Sequence, residues 1–235
     1  MQTWAITDPG NIREQNQDAY AVINFGHERM LLVVCDGMGG AKSGNVASSL
    51  AVEGFTEEVR RVQKTGMRRE AIDAMLTGAL QLANQAVFDQ AHLSEEFRGM
   101  GTTLVAAYAV KDSITIINVG DSRAYHFSSH GVDLITRDHS IVAFMVERGE
   151  LTQEQAKNHP GKNVITRAVG TEEEVEGDLY HLTVRRDDCL LLCSDGLSNI
   201  VTDQELLYEA IHGGEPSDCC QRLLHITLSR GAPDN

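Results

Sequence analysis

The sequence lacks the features of a membrane protein or a nucleic-acid-binding protein. None of the apolar runs in its 235 residues approaches the roughly 18 residues of a membrane span. The N-terminus shows no basic segment followed by an apolar stretch, so no secretory signal is visible. Basic residues are scarce, since 20 Lys and Arg oppose 34 Asp and Glu for a net charge of −14. We therefore predict a cytoplasmic protein with neither nucleic acid nor a membrane as its partner.

Cysteines are few, and their spacing does not suggest a zinc site. The chain has five: Cys35, Cys189, Cys193, Cys219 and Cys220. Cys189 and Cys193 fall on one predicted strand, where they are too far apart for a disulfide. Adjacent Cys219 and Cys220 match no zinc-binding spacing. We interpret all five as reduced core cysteines of a cytosolic protein.

Linkers, repeats and low-complexity segments are also missing, so the sequence predicts a single domain over residues 1–235. Apolar residues recur at helical spacing in 45–62 and 69–92. Consecutive β-like runs with tight connections imply antiparallel pairing. Later strands are predicted around 178–184 and 188–194, and later helices near 203–211 and 216–229. The chain stops at "GAPDN", so we expect its closing C-terminal strand to be missing.

Residues 138–157 predict a helix, a break at Gly149 and a second short helix that begins at Thr152. Pro160 and Gly161 end this segment.

The stretch "LLVVCDGMGGAKSGN", residues 31–45, first suggests a phosphate-binding loop. A Walker loop requires a glycine directly before the lysine and another five residues earlier. Here Ala41 precedes Lys42, and Asp36 occupies the earlier position. The Rossmann spacing also fails, because the glycines fall at 37, 39, 40 and 44. The nucleotide-binding interpretation is therefore rejected.

Two apolar runs end in Asp-Gly, at Asp36-Gly37 and at Asp195-Gly196. A buried strand can present one carboxylate at its end, and the glycine lets the backbone turn sharply after it. Asp18, Asp121 and Asp234 follow turn-like contexts, and no histidine or cysteine cluster accompanies them. Oxygen ligands alone suit Mg²⁺ or Mn²⁺, and grouped aspartates suit a two-metal hydrolytic centre. Spacing does not decide whether these aspartates converge.

Seven motifs in order carry a family resemblance: "IREQNQD", "VVCDGMGGAKSGNVAS", "GMGTTL", "VGDSRAY", "TRDHS", "LLCSDGL" and "GAPDN". Together they resemble the metal-dependent protein serine/threonine phosphatases (the PPM or type 2C family), specifically compact bacterial members. The resemblance implies an α+β fold, an α-β-β-α four-layer sandwich of two mainly antiparallel sheets flanked by helices. It also implies hydrolysis of phosphoserine and phosphothreonine on proteins with two Mn²⁺ or Mg²⁺ ions, and in bacterial members often a third.

Residue by residue, the resemblance implies the following ligands. Asp36 bridges both ions, and the Gly37 carbonyl binds one of them. Asp195 and Asp234 bind the other ion. Asp121 matches the third-metal aspartate, and Asp195 also reaches that ion. The implied nucleophile is a metal-bridging hydroxide that attacks phosphorus in line.

The resemblance also implies roles around the ions. Arg13 grips the substrate phosphate through its guanidinium fork. Asp18 lies beside the centre and acts through a coordinated water. Residues 143–160 match a mobile flap beside the site, with Gly149 as a hinge and an influence on substrate choice. Lys42 and Ser43 are interpreted as solvated residues before a helix.

Two positions depart from the family pattern. Met38 stands where animal members carry a histidine proposed as general acid, and a thioether cannot donate a proton. His139 and His159 are conceivable substitutes. Gln17 replaces a glutamate common in its motif.

The leading hypothesis is a monomeric phosphatase that acts on phosphorylated proteins and opposes a Ser/Thr protein kinase. The alternatives are a catalytically weak regulator that binds phosphoproteins on the same fold, and a metal hydrolase of small phosphoesters.

Overall fold

The strands form two antiparallel sheets. The computed structural model describes residues 1–39 and 43–235. Its strands are β1 (Asp18–Gly26), β2 (Arg29–Met38), β3 (Gly101–Thr102), β4 (Leu104–Val110), β5 (Ser113–Val119), β6 (Arg123–Ser128), β7 (Gly131–Leu134), β8 (Asp178–Thr183) and β9 (Cys189–Cys193). The first sheet has the order β1-β2-β4-β5-β8, with β3 also paired to β2, and the second has the order β7-β6-β9.

Helices connect and cover the sheets. They are α1 (Gly44–Val62), α2 (Arg69–Leu93), α3 (Ile141–Glu147), α4 (Gln153–Lys157), α5 (Asp195–Ser198), α6 (Asp203–His212) and α7 (Pro216–Ser229), with a 3₁₀ turn at Glu95–Phe97. Within the ranges that the structure describes, no helix combines the length and the apolar character needed to cross a membrane.

Three apolar clusters separate four layers. Strand β4 alternates between two of them, as a strand buried on both faces must. Leu104, Ala106 and Tyr108 join the cluster that α1 and α2 cover. Val105, Ala107 and Ala109 join the cluster between the two sheets. The third cluster lies on the far side of the second sheet, where Tyr125 and Phe127 of β6 pack with Leu206 of α6 and Leu223 of α7.

This arrangement confirms the predicted α-β-β-α sandwich. The helices predicted at 45–62 and 69–92 are α1 and α2, and those predicted near 203–211 and 216–229 are α6 and α7. The two late strands are β8 and β9. All five cysteines are unpaired. The prediction that all of them lie in the core is wrong, because only Cys35 and Cys193 are buried, whereas Cys189 at the start of β9 is exposed and Cys219 and Cys220 on α7 are partly buried.

A two-residue turn and a bulge next to it together fix the register between β1 and β2. His27 and Glu28 form the turn with φ of 51° and 56°, both in the left-handed region, and the register shifts by one residue between Asn24 and Gly26. Left-handed backbone at both central positions gives a turn whose twist matches that of the flanking strands. The resulting register places Asp18 directly opposite Asp36.

The segment between β7 and β8 contains the predicted helix, break and second helix. Ser140 caps α3 by accepting a hydrogen bond from the Ala143 N–H, and Thr152 starts α4 with a capping box. Gly149 lies between them at φ 72°, a conformation that favours glycine. We call residues 143–160 the flap segment. Its ends are joined, because the Ile141 N–H donates to the Val164 carbonyl at 3.0 Å.

A buried asparagine ties α2 to the chain that leaves the flap segment. Asn84 is fully buried, its amide donates to the carbonyls of Glu172 and Glu173 at 3.0 Å, and its oxygen accepts from the Gly170 N–H at 2.7 Å. We expect Asn84→Ala to lower the free energy of unfolding by about 2–4 kcal/mol, because buried backbone groups lose their partners. Urea denaturation measures this change.

The matched control is Gln85→Ala on the same helix. Gln85 is exposed and bonds only to Asp89, so its replacement should change stability by less than about 0.5 kcal/mol. A loss below about 1 kcal/mol for Asn84→Ala would show that the anchor is dispensable.

Candidate active site

Two strand ends supply the first carboxylates of the site. Asp36 lies near the end of β2, after the buried residues Leu31, Val33 and Cys35. Asp195 opens α5 directly after β9. Each of the two apolar runs that end in Asp-Gly therefore presents its aspartate at a strand end.

Asp18 joins them from the neighbouring strand. Its position opposite Asp36 sets two carboxylates side by side on one ladder, an arrangement that destabilises a sheet when both are charged. The Ser194 hydroxyl donates to Asp18 Oδ2 at 2.7 Å and so connects the end of β9 to β1. Asp18 Oδ1 is buried without a hydrogen-bond partner. A buried oxygen of this kind requires a water or an ion.

Asp36 lies at the middle of the group. The carboxyls of Asp18 and Asp195 lie close enough for their charges to act on it, as do those of Asp234 and Asp121. Burial, followed by the negative charges of Asp18 and Asp195, raises the pKa of Asp36 well above its usual range.

The neighbouring carboxyls are perturbed in the same direction. Burial raises the pKa of Asp18 to about 6 against the opposing effect of the Ser194 hydrogen bond, and the charges of Asp195 and Asp234 add to the rise. Burial and the charge of Asp234 also raise the pKa of Asp195. These four aspartates therefore share one electrostatic environment.

Asp121 approaches from the loop between β5 and β6. Burial, then the charges of Asp195 and Asp138, raises its pKa to about 7. Hydroxyl groups connect this loop to Asp36: Thr103 Oγ1 accepts from the Asp36 N–H at 2.9 Å and lies 2.7 Å from Ser122 Oγ. The third-metal candidate is therefore held near the other carboxylates.

Two arginines lie among these acids. Arg123 forms a fork with Asp138, with Nε 3.0 Å from Oδ1 and Nη2 2.7 Å from Oδ2. Its charge also lowers the pKa of Asp121, although burial outweighs this effect. Arg13 donates from Nη2 to Asp234 Oδ2 at 2.7 Å, and its side chain remains 46% exposed.

Asn235 holds the loop that carries Arg13. Its Oδ1 accepts from the Gln17 N–H at 2.8 Å, and its Nδ2 donates to the carbonyls of Pro9 and Gln15 at 3.0 and 3.2 Å. These bonds fix Asp234 beside the N-terminal loop, so the first and last motifs of the sequence meet at the site.

Gly37 has no room for a side chain. A Cβ there would lie 2.7 Å from the Gln17 carbonyl oxygen, and the backbone of Gly44 is nearer still. Ser43 is only 2% exposed, so its interpretation as a solvated residue is wrong, because the turn into α1 folds it against Gly39. Lys42 lies outside the described residues.

The two histidines considered as proton donors occupy different surroundings. His139 is 9% exposed, and both of its ring nitrogens have partners within the protein. His159 Nδ1 accepts from the Gly161 N–H at 3.0 Å within the flap segment. Neither ring is hydrogen-bonded to an aspartate of the acidic group.

The donor set fits a hard divalent cation. Four aspartates with raised pKa values, and one orphaned carboxylate oxygen, describe a site with too little positive charge. Among residues 1–39 and 43–235, no group of three or more Asp, Glu, His or Cys side chains is already arranged to hold a metal ion. Ligation therefore requires these side chains to rotate toward the ion.

Sequence reasoning missed the residues that support the aspartates. Thr103, Ser122, Ser194 and Asn235 each bond to a carboxylate-bearing segment. The only signal available was their position beside the aspartates in "GTT", "GDS", "CSDG" and "PDN".

Comparison with known proteins agrees with this architecture. Residues 12–215 match the family model described as protein phosphatase 2C. The chain is 38% identical over 200 residues to the serine/threonine phosphatase stp of Listeria monocytogenes, which covers 85% of this chain and 79% of that protein.

Solved structures are also similar. The serine/threonine phosphatase Stp1 from Staphylococcus aureus has a TM-score of 0.89 and 34% identity, covering 100% of this chain and 94% of that one. The catalytic domain of the serine/threonine protein phosphatase PstP, in complex with two manganese ions, has a TM-score of 0.81 and 33% identity, covering 97% of this chain and 91% of that one.

Proposed function

The chain belongs to the protein phosphatase 2C family and is a serine/threonine protein phosphatase, and we propose that its grouped aspartates hold Mn²⁺ or Mg²⁺ for this reaction. The observation that carries the proposal is the facing pair Asp18 and Asp36, with Asp195 close enough for its charge to act on the same central carboxyl. Without a cation, burial and mutual repulsion raise the pKa of each of these carboxyls. A divalent ion can take the place of bound protons and neutralise the negative charge.

The ligands divide by position. Asp36, at the middle of the group, is proposed to serve two ions, with the Gly37 carbonyl on one of them. Asp195 and Asp234 serve the other ion. Asp121 and Asp195 hold a third, which agrees with the effect of Asp195 on the pKa of Asp121. Asp18 supports the centre through its orphaned Oδ1, which lies where a bound water would find an acceptor.

Bound Mn²⁺ or Mg²⁺ would supply a Lewis acid that activates water and stabilises negative charge on a phosphoryl group. Arg13 would bind two phosphoryl oxygens through its exposed guanidinium, exchanging Asp234 for the substrate. Met38 has no proton to donate, and the Nε2–H of His139 faces Asp178, so the leaving oxygen would take its proton from solvent.

The biological reaction proposed is removal of phosphate from phosphoproteins by a monomer, in opposition to a Ser/Thr protein kinase. Substrate choice is assigned to the flap segment, residues 143–160, because its ends meet beside the loop of Asp121. The Thr166 N–H donates to the His139 carbonyl at 2.7 Å, and the His139 N–H donates to the Gly120 carbonyl at 2.9 Å.

Hydrolysis of a phosphothreonine peptide with Mn²⁺, and with chelator, tests this function. We expect activity that requires Mn²⁺. Arg13→Ala should lower kcat/KM by on the order of 100-fold, because the phosphoryl oxygens lose a charged donor fork. The matched control is Arg61→Ala, since Arg61 is 71% exposed and paired with Glu58 on α1.

Each contrary result has a distinct meaning. A folded wild-type chain without Mn²⁺-dependent turnover that still binds the peptide would favour the regulatory binder. Preference for a small phosphoester over the peptide would favour the small-molecule hydrolase. Equal kcat/KM for Arg13→Ala and Arg61→Ala would show that Arg13 does not bind the substrate phosphate.

A further inference from the structure

His139 lies four residues before the flap segment and is hydrogen-bonded to the loop that carries Asp121. Its backbone makes two hydrogen bonds: the N–H donates to the Gly120 carbonyl at 2.9 Å, and the carbonyl accepts from the Thr166 N–H at 2.7 Å. Its side chain is 9% exposed, so each polar atom of the ring must find its partner within the protein.

The partners of the ring determine its tautomer. Nδ1 accepts a hydrogen bond from the Gly120 N–H at 3.1 Å, so the neutral ring carries its proton on Nε2. Nε2 lies 3.2 Å from Asp178 Oδ2 and 3.2 Å from Arg167 Nη1. A guanidinium can only donate, so the Nε2–H bonds to Asp178. Arg167 holds the other oxygen of that carboxylate at 2.9 Å.

The amide that the ring receives belongs to a constrained glycine. Gly120 has φ 100°, in the left-handed region, and a Cβ there would lie 2.6 Å from Thr103 Cγ2. The next residue is Asp121, and Ser122 then bonds to Thr103, which receives the Asp36 N–H. The orientation of the Gly120 peptide group therefore sets the direction in which the Asp121 side chain projects from the loop.

We propose that His139 is a positioning residue for the cation at Asp121. Its Nδ1 fixes the Gly120 amide, and Asp178, braced by Arg167, fixes the ring. This inference rests on the proposed function, because it requires Asp121 to be a metal ligand. It assigns His139 a role other than proton donation to the substrate. Mutation of a residue that hydrogen-bonds to a metal ligand commonly changes metal affinity by about 10–100-fold.

Two substitutions separate the ring nitrogens. In His139→Asn the side-chain oxygen occupies the place of Nδ1 and can accept from Gly120. In His139→Gln the amide reaches the place of Nε2 instead. We expect His139→Gln to weaken Mn²⁺ binding at the Asp121-dependent site by about 10-fold or more, and His139→Asn to restore it to within about threefold of wild type. Mn²⁺ binding is measured from the EPR signal of the free ion, and folding from thermal melting.

His126→Gln is the matched control. His126 also pairs with a carboxylate, 3.0 Å from Asp188, and its side chain is only 12% exposed, but it lies in the second sheet. Its replacement should leave Mn²⁺ binding unchanged. Wild-type binding by folded His139→Gln would overturn the proposal, as would equal weakening by Gln and Asn.

Asp121→Asn, measured in parallel, distinguishes a failure of this inference from a failure of the proposed function on which it rests. If Asp121→Asn keeps every Mn²⁺ site, the assignment of Asp121 fails, and the inference fails with it. If Asp121→Asn loses a site while His139→Gln binds normally, only the inference fails. Should His139→Gln not fold, Asp178→Asn replaces it, because an amide no longer enforces the Nε2–H tautomer. Weakened binding would support the proposal, and unchanged binding would overturn it.

Discussion

Asp36→Asn is expected to reduce kcat on a phosphothreonine peptide at saturating Mn²⁺ by on the order of 10³-fold. The reason is the central place of this carboxyl, which faces Asp18 across the ladder and is affected by the charges of Asp195, Asp234 and Asp121. Asparagine keeps the shape of the side chain but loses its charge and one acceptor oxygen. Steady-state kinetics over a range of Mn²⁺ concentrations measures the effect and shows whether more metal restores activity.

The backbone around Asp36 should survive the change. Its N–H donates to Thr103 Oγ1, and its carbonyl accepts from the Thr103 N–H at 2.9 Å, and neither bond uses the carboxyl. Asp133→Asn on β7 is the control, because Asp133 is exposed and is not one of the proposed ligands. An Asp36→Asn enzyme that keeps more than about a tenth of wild-type kcat would contradict the shared-ligand role.

The part of the site that local sequence predicted is the part made by strand ends. Asp36 and Asp195 each follow an apolar run, and a buried strand leaves only its end for a charged group. The pairing of Asp18 with Asp36 could not be predicted from the local sequence. It depends on a register shift between Asn24 and Gly26 and on the turn at His27 and Glu28, which adopts left-handed backbone without the Asn-Gly or Asp-Gly signal of such turns.

Long-range contacts also could not be predicted from local sequence patterns. Arg13 and Asp234 are 221 positions apart, and their roles were taken from the family resemblance, since no periodicity joins the two chain ends. His139 illustrates the same limit. The sequence suggested a spare proton donor, whereas the fold surrounds the ring with Gly120, Asp178 and Arg167. A side chain's chemistry is visible in the sequence, but its partners are set by tertiary packing.

The helices and layers were predictable for the opposite reason. Residues 45–62 and 69–92 carry apolar stripes at helical spacing, and burial of those stripes against a sheet determines the layer order. The flap segment followed from local chemistry as well, because Thr152 starts a helix through its capping box and Gly149 accepts positive φ.

The metal-free protein should lose stability as the pH rises from about 5 to about 8, by on the order of 3 kcal/mol. Burial raises the pKa of Asp18 to about 6 and that of Asp121 to about 7, whereas an unfolded aspartate titrates near its ordinary value of 3.8. Between these values the folded chain binds more protons than the unfolded chain, so the free energy of unfolding falls with rising pH, and the contribution of these two groups levels off above about 7. Urea unfolding in chelator at a series of pH values measures this slope.

Asp121→Asn tests the origin of the slope. An amide does not titrate, so the metal-free variant should show a flatter dependence than wild type and greater stability at pH 8, while gaining less from added Mn²⁺. Asp133→Asn should keep the wild-type slope, because Asp133 is exposed on β7. Stability that rises from pH 5 to pH 8 in chelator, or an unchanged slope in Asp121→Asn, would contradict the argument. The expected result would mean that the charges which destabilise the metal-free fold are those that bind the cation, so that ion binding and folding are coupled at this one group of carboxylates.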